Sequence, residues 1–220
     1  MVISAYLFIK EESERVPNKN FVEVGGKPLF QWIIETLQKV NRIDQIVINT
    51  DAPQILSSDL LKASHKFQVI EREEKLRGNK ITANQLIESD IEKFSNKLIL
   101  NVHVTTPFLS VETIDKGIDL ILNSSSGSIF GVNEIYHRFY DSKLNPVNHD
   151  PKDLVPTQQL SPLYMENSSL YIFKKESFEK HGNRIGPDSK IIEVPKLEAL
   201  DIDTEEDLIL AKAYANYLKA

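Results

Sequence analysis

The feature that narrows the fold most is a rhythm: short runs of apolar, β-branched residues alternate with segments whose apolar residues recur at helical spacing. Val2 to Ile9 reads as a buried strand, Ile43 to Asn49 as a second, Phe67 to Ile70 as a short third and Lys97 to Val102 as a fourth. Between them a helix opens at Pro28, another runs over 53–63 from Pro53, a third covers 81–94 and a fourth 111–122. Strands joined by helices of that size pack as a mostly parallel sheet with crossover helices on its faces, an α/β architecture.

The rhythm changes after residue 126. Strand patterns at 128–132, 136–140 and 170–173 enclose an irregular stretch that contains Asn145-Pro146, Asp150-Pro151, Val155-Pro156 and Ser161-Pro162. An excursion of this length, about 133–168, is expected to be a lid, a binding arm or an oligomer contact. The last helix is expected near Thr204, where Thr204-Glu205-Glu206-Asp207 approximates a capping box with Asp in the place of the usual Glu. The simplest organisation is one domain over residues 1–220 with a protruding arm.

Composition removes several function classes. The chain has no Cys, which excludes disulfides, thiolate metal sites, iron–sulfur clusters and a cysteine nucleophile. A net charge of −6 argues against coating nucleic acid or lying on a membrane surface. The apolar start stops at Lys10-Glu11-Glu12 without a basic region before it, and no run reaches the roughly 18–20 apolar residues a span needs, so a cytoplasmic protein is expected. The acidic surplus is concentrated: between 193 and 207, Glu193, Glu198, Asp201, Asp203, Glu205, Glu206 and Asp207 face only Lys196.

In open α/β sheets ligands bind outside the carboxyl ends of the strands. The loop over 10–27 leaves such an end with Lys10, Ser13, Arg15, Lys19, Asn20 and Lys27, cations and a hydroxyl suited to a phosphate chain. It is neither a Walker A loop nor a dinucleotide fingerprint, and a solvated charged loop is the alternative. The 71–80 loop adds Arg72, Lys75, Arg77 and Lys80. Asp201 and Asp203, one residue apart, project to the same side of an extended chain, an arrangement suited to Mg²⁺, whereas Glu205, Glu206 and Asp207 fit helix capping. No HExxH and no GxSxG is present among the five histidines and the serines. His103 directly follows a strand, where it either faces a ligand or is a satisfied core or surface histidine.

Several motifs in fixed order then resemble one family: Ser13-Glu14-Arg15-Val16-Pro17-Asn18-Lys19-Asn20, Gly26-Lys27-Pro28-Leu29, Ile48-Asn49-Thr50-Asp51, Thr105-Thr106-Pro107, Glu166-Asn167-Ser168 and Leu200-Asp201-Ile202-Asp203-Thr204. They are similar to the sugar-activating cytidylyltransferases, namely the acylneuraminate cytidylyltransferases (CMP-sialic acid synthetases) and their 3-deoxy-manno-octulosonate relatives, from about residue 3 to 212. The resemblance implies a nucleotidyltransferase fold, Mg²⁺ dependence, a homodimer whose arm completes the neighbour's sugar pocket, and the reaction of CTP with a 2-keto-3-deoxy sugar acid to give CMP-sugar and pyrophosphate. It implies nucleotide contacts from Lys19, Asn20 and Arg72; with the loop's own Lys10, Ser13 and Arg15, and with Thr82, these make the expected nucleotide site, in which Lys10, Lys19 and Asp203 are expected to be catalytic. It implies sugar contacts from His103, Thr105, Gln158 and Asn167, and a metal pair of Asp201 and Asp203.

Two departures stand out: Ile9-Lys10 replaces the family's Ala-Arg, and Ser13-Glu14-Arg15 replaces Ser-Lys-Gly. Lys keeps the charge at position 10 but loses the bidentate fork. Alternative readings are a same-fold nucleotidyltransferase using another nucleotide such as GTP, a non-catalytic nucleotide-sugar binding protein, and a glycosyltransferase with its own Asp-x-Asp pair. The late position of the pair, just before the terminal helix, weighs against the last.

Overall fold

The computed structural model describes residues 2–62 and 64–219. In chain order it has β1 (Ile3–Ile9), β2 (Glu23–Val24), β3 (Lys27–Pro28), α1 (Leu29–Lys39), β4 (Ile43–Thr50), α2 (Pro53–Leu56), α3 (Asp59–Lys62), β5 (Phe67–Glu71), α4 (Ala83–Asp90) and β6 (Leu98–Val102). There follow α5 (Val111–Leu122), β7 (Ser128–Ile135), β8 (Leu163–Lys174), α6 (Lys175–His181), β9 (Lys190–Glu193) and α7 (Glu205–Tyr217). The main sheet has seven strands in the order β5-β4-β1-β6-β8-β7-β9, and β8 alone runs antiparallel to its neighbours. This is the mostly parallel α/β sheet expected from the rhythm.

The layers follow from alternation along the strands. Ile3, Ala5, Leu7 and Ile9 of β1 are buried on one face with Leu29, Ile33 and Leu37 of α1, Ile114 and Ile118 of α5, and Leu208 and Ala211 of α7. Tyr6, Val47 and Ile99 point to the other face, against Leu86 and Ile87 of α4 and Phe178 of α6. Each buried Leu or Ile contributes roughly 1.5–3 kcal/mol relative to exposure, so both faces of the sheet must be covered.

Local expectations needed correction in four places. The helix expected over 53–63 is two short pieces, α2 and α3, parted at Ser57 and Ser58, where Ser57 caps the first piece with both its N–H and its hydroxyl donating to the Pro53 carbonyl, at 3.0 and 2.8 Å. The strand expected at 136–140 is absent; Tyr140 makes one isolated bridge to Pro146. The strand expected at 170–173 is the end of the 12-residue β8, whose first half pairs with β7 at the base of the arm. The elements α6 and β9 had no clear local signal. By contrast the Thr204 capping box forms, with Thr204 N–H donating to Asp207 Oδ2 at 2.8 Å and Asp207 N–H to Thr204 Oγ1 at 3.2 Å.

Candidate active site

The carboxyl ends of β1 and β4 lie level, Ile9 opposite Thr50, with β6 on the other side of β1. The polar segments that leave these ends surround a cleft of about 210 Å³ lined by Lys10, Ser13, Arg15, Lys19, Asn20, His103 and Thr105, with Phe8 and Val104 as apolar wall. A neighbouring cleft of about 290 Å³ shares Lys10, Ser13, Glu14 and Asn79 and extends to Asp51 and Arg77. The first loop therefore divides one groove into two compartments.

Three cations enter this groove from β1 and the turn after it. Asn18 adopts the left-handed conformation at φ 54, which Asn tolerates better than most residues, and opens a 3₁₀ turn over Lys19–Phe21. That turn buries Lys19 to 7% exposure and sends its ammonium to the Ile202 carbonyl at 2.6 Å and to Asp203 Oδ1 at 3.1 Å. Arg15 donates to the same Asp203 oxygen at 2.7 Å from an exposed position. Lys10 donates to the Gly78 carbonyl and to Asn79 Oδ1, both at 3.2 Å, while burial and then the Arg72 charge lower its pKa. Asn20 donates to the Lys10 carbonyl at 2.8 Å and so holds the peptide from which Lys10 projects.

The acidic pair comes from the other end of the chain. The Ile202 N–H donates to the Thr105 carbonyl at 2.8 Å, which ties the segment before α7 to the loop after β6. Asp207 accepts from the Asp203 N–H at 3.0 Å, so the capping box also orients the second member of the pair, whereas Glu205 and Glu206 are exposed. Asp201 Oδ1 is buried without any hydrogen-bond partner. Burial first, and the Asp203 charge in addition, raise the Asp201 pKa against the lowering effect of Thr105. A sealed carboxylate oxygen with no donor, one residue from a second carboxylate, is a poor arrangement for an apoprotein and a good one for a hard cation. Asp201 and Asp203 thus fit Mg²⁺, which takes one or two carboxylates and completes its shell with phosphate oxygens and water. Among the described residues no group of three or more His, Cys, Asp or Glu converges, which matches a pair rather than a closed cage.

His103 forms the far wall. Its ring sits edge-on to Phe8 at 5.1 Å and tilted against Tyr171 at 5.9 Å. Its Nε2 lies 3.0 Å from Arg184 Nη1. Burial, then the Arg184 and Lys19 charges, hold its pKa down to about 3, so the imidazole is neutral at ordinary pH. Arg184 comes from the turn after α6, stacks 3.5 Å over the Tyr171 ring and donates to Asn101 Oδ1 at 2.6 Å. Nothing in the local sequence singles this arginine out, because its side-chain hydrogen-bond partners Asn101 and His103 are more than 80 residues away.

The remaining expected site residues lie elsewhere. Arg72 is 1% exposed beneath the strand ends, bonded to Asn49 Oδ1 at 2.6 Å, the Asn49 carbonyl at 3.0 Å, the Ile9 carbonyl at 3.4 Å and Asp51 at 3.4 Å. It clamps the floor of the groove and lines neither cleft. Thr82 is the exposed N-cap of α4, paired with Gln85. Gln158 is exposed on a 3₁₀ turn in the arm, over Thr157–Gln159. Asn167 is buried between β7 and β8, bonded to Asn133 at 3.2 Å and to the Ser169 hydroxyl at 2.6 Å. Lys10, Ser13, Arg15, Lys19, Asn20, His103 and Thr105 thus line the cleft, Asp203 joins them through Arg15 and Lys19 with Asp201 beside it, and Arg72, Thr82, Gln158 and Asn167 lie outside the cleft.

A mostly parallel sheet whose strand ends carry a cationic loop opposite a paired carboxylate defines an enzyme of the nucleotidyltransferase class. More closely, residues 11–218 match the sequence profile of the family described as Cytidylyltransferase, and the chain belongs to that family. It is 25% identical over 211 residues to a pseudaminic acid cytidylyltransferase of Campylobacter jejuni, covering 91% of this chain and 90% of that one. It is also 25% identical over 224 residues to N-acylneuraminate cytidylyltransferase A of Danio rerio, covering 96% of this chain and half (50%) of that one. Among solved structures, CMP:2-keto-3-deoxy-manno-octonic acid synthetase complexed with CTP shares the fold at a TM-score of 0.70 and 11% identity, covering 99% and 100% of the two chains. The 4-diphosphocytidyl-2C-methyl-D-erythritol synthase of Anaerococcus prevotii does so at 0.71 and 17%, covering 98% and 96%.

Proposed function

We propose that the enzyme transfers CMP from CTP to the anomeric hydroxyl of a nonulosonic or related 2-keto-3-deoxy sugar acid, releasing pyrophosphate. The observation that carries this reading is the convergence of Lys10, Arg15 and Lys19 on one cleft, where Arg15 and Lys19 hold Asp203 and the unpartnered oxygen of Asp201 lies two positions before it in the chain. The names of the relatives, which act on sugar acids, support the acceptor class.

In this reading the anomeric oxygen attacks the α-phosphorus in line, the new O–P bond forms as the bond to the bridging oxygen breaks, and pyrophosphate leaves. Catalysis of such a step is mainly positioning and electrostatic stabilisation. Lys10 and Arg15 are placed to hold the phosphates, and Lys19, fixed from below by the Ile202 carbonyl, to steady charge on the leaving group. Arg15 and Lys19 exchange Asp203 for phosphate oxygens as the nucleotide enters. Asp201 and Asp203 would hold Mg²⁺, which supplies charge neutralisation and activation of the hydroxyl when bound. His103, neutral and walled in, serves as a hydrogen-bonding partner for the sugar and not as a cation.

The arm between β7 and β8 exposes Tyr140, Leu144, Val147 and Leu154, and the start of β8 adds Tyr164 and Met165. This apolar surface supports the reading that a second copy of the chain covers the arm. The reading is tested by pyrophosphate release with CTP, GTP, ATP and UTP against a panel of 2-keto-3-deoxy sugar acids. Release with CTP and one such acid is expected; none with any acid defeats it.

A further inference from the structure

We propose that Arg184 is a positioning residue that fixes His103 as a neutral Nδ1–H donor, so that the groove presents one defined hydrogen bond to an acceptor oxygen of the second substrate. The inference rests on the reading of the groove as the meeting place of nucleotide and sugar acid.

A guanidinium has five donors and no acceptor. With Arg184 Nη1 at 3.0 Å, His103 Nε2 must meet it with a lone pair, and the single proton of a neutral ring is left on Nδ1. Both partners are held. Arg184 stacks on Tyr171 at 3.5 Å, Tyr171 donates to Glu166, and Arg184 also reaches Asn101 Oδ1 at 2.6 Å. Its own N–H donates to Asn84 Oδ1 at 3.2 Å, and Asn84 donates to Asn183 Oδ1 at 3.1 Å, which ties the turn to α4.

The imidazole packs against Phe8 and Tyr171 on the side of the cleft where Arg184 meets Nε2. The charged groups that act on it, Arg184 from the turn after α6 and Lys19 from the first loop, are both cations and both oppose an imidazolium. Nδ1 has no hydrogen-bond partner among the described residues, and His103 lines the cleft while Arg184 does not. Arg184 therefore reaches the substrate only through the ring it orients. A free histidine side chain interconverts between two tautomers and an imidazolium near neutral pH, and each would present a different face to the sugar. Arg184 removes two of the three.

The test combines ¹⁵N NMR of the histidine side chains with steady-state kinetics on the whole protein. His103 is assigned by the signal missing in His103→Gln. In the wild type it should be the neutral Nδ1–H tautomer from about pH 5.5 to 8. In Arg184→Met it should shift to the Nε2–H form or begin to titrate in that range. With Arg184→Met, KM for the sugar acid should rise about tenfold, the effect of losing one well-placed hydrogen bond, with KM for CTP unchanged. Arg184→Lys, which keeps the charge without the fork, should fall between.

An Nε2–H tautomer or an imidazolium in the wild type at neutral pH overturns the proposal, as does an unchanged tautomer and KM in Arg184→Met. Should Arg184→Met not fold, the wild-type spectrum and Arg184→Lys still decide. If no sugar acid is turned over, the proposed function fails, yet the tautomer is still read, so the two failures are distinguishable.

Discussion

The ammonium of Lys19 lies 3.1 Å from Asp203 Oδ1 although the two residues are 184 positions apart. The ion pair thus ties the loop after β1 to the segment before α7, and it joins the cation proposed to meet phosphate to a carboxylate proposed to hold the metal. Lys19 is buried and keeps its bond to the Ile202 carbonyl, whereas Asp203 is 37% exposed, so the carboxylate side of the pair is open to exchange with an incoming ligand.

Replacing Asp203 with Ala should lower kcat at least about 100-fold, the scale of removing a principal electrostatic contact, while thermal melting changes little. Asp201→Asn should be equally inactive but no less stable than the wild type, since it removes a buried charge that Thr105 and Lys19 offset only in part. The Mg²⁺-dependent rise in melting temperature expected of the wild type should vanish in both. A variant that keeps that rise and near-normal turnover at saturating Mg²⁺ would refute the metal assignment.

Lys19→Met should raise KM for CTP and depress kcat together, because the lost charge acts on the nucleotide in both the ground and the transition state. The expected loss in kcat/KM is about 10²–10³-fold. Unchanged CTP kinetics would remove Lys19 from the site.

Arg72→Met should be costly to the fold. It leaves Asn49 Oδ1, two strand-end carbonyls and Asp51 without their donor, and a buried network broken on one side loses about 2–4 kcal/mol. Urea unfolding measures this. Full stability with a selective loss of CTP affinity would instead assign Arg72 a direct nucleotide contact.

His103 makes stability depend on pH with a definite sign. Its folded pKa is about 3. In the unfolded chain it returns to about 6.5, so between these values the unfolded state binds the extra proton. Stability is full above about pH 6.5 and falls by up to about 1.4 kcal/mol per pH unit below it. His103→Gln should flatten the acid limb of urea midpoints between about pH 6.5 and 5 by that slope. Parallel limbs in the two proteins would mean that the ring is charged when folded.

The arm gives a fifth test. Leu144, 80% exposed, and Leu154, 64% exposed, are well placed to be covered by a second copy. Leu144→Asp with Leu154→Asp should convert a dimer to a monomer in light scattering and reduce turnover of the sugar acid. A wild-type monomer at micromolar concentration would count against the arm as a dimer contact.

Much of this was legible in the residues alone. The strands β1, β4, β5 and β6 and the helices α1 and α5 follow from apolar period, which is set by neighbours a few positions apart. The Thr204 cap and the Asp201–Asp203 alternation are likewise local. Periodicity could not reveal that Arg72 turns inward to clamp the ends of β1 and β4, that Ser57 would divide a helix, or that β8 would run against the sheet and carry Tyr171 under the groove. Nor could it find Arg184, whose role exists only because the turn after α6 folds back onto the end of β6. The layered scaffold and the kinds of charge it carries can be read from the residues in order, since these are properties of close neighbours along the chain. Which cation meets which carboxylate, and which nitrogen of His103 meets Arg184, came only from the folded chain, because a hydrogen bond depends on atoms within about 3 Å of each other and on no distance along the chain.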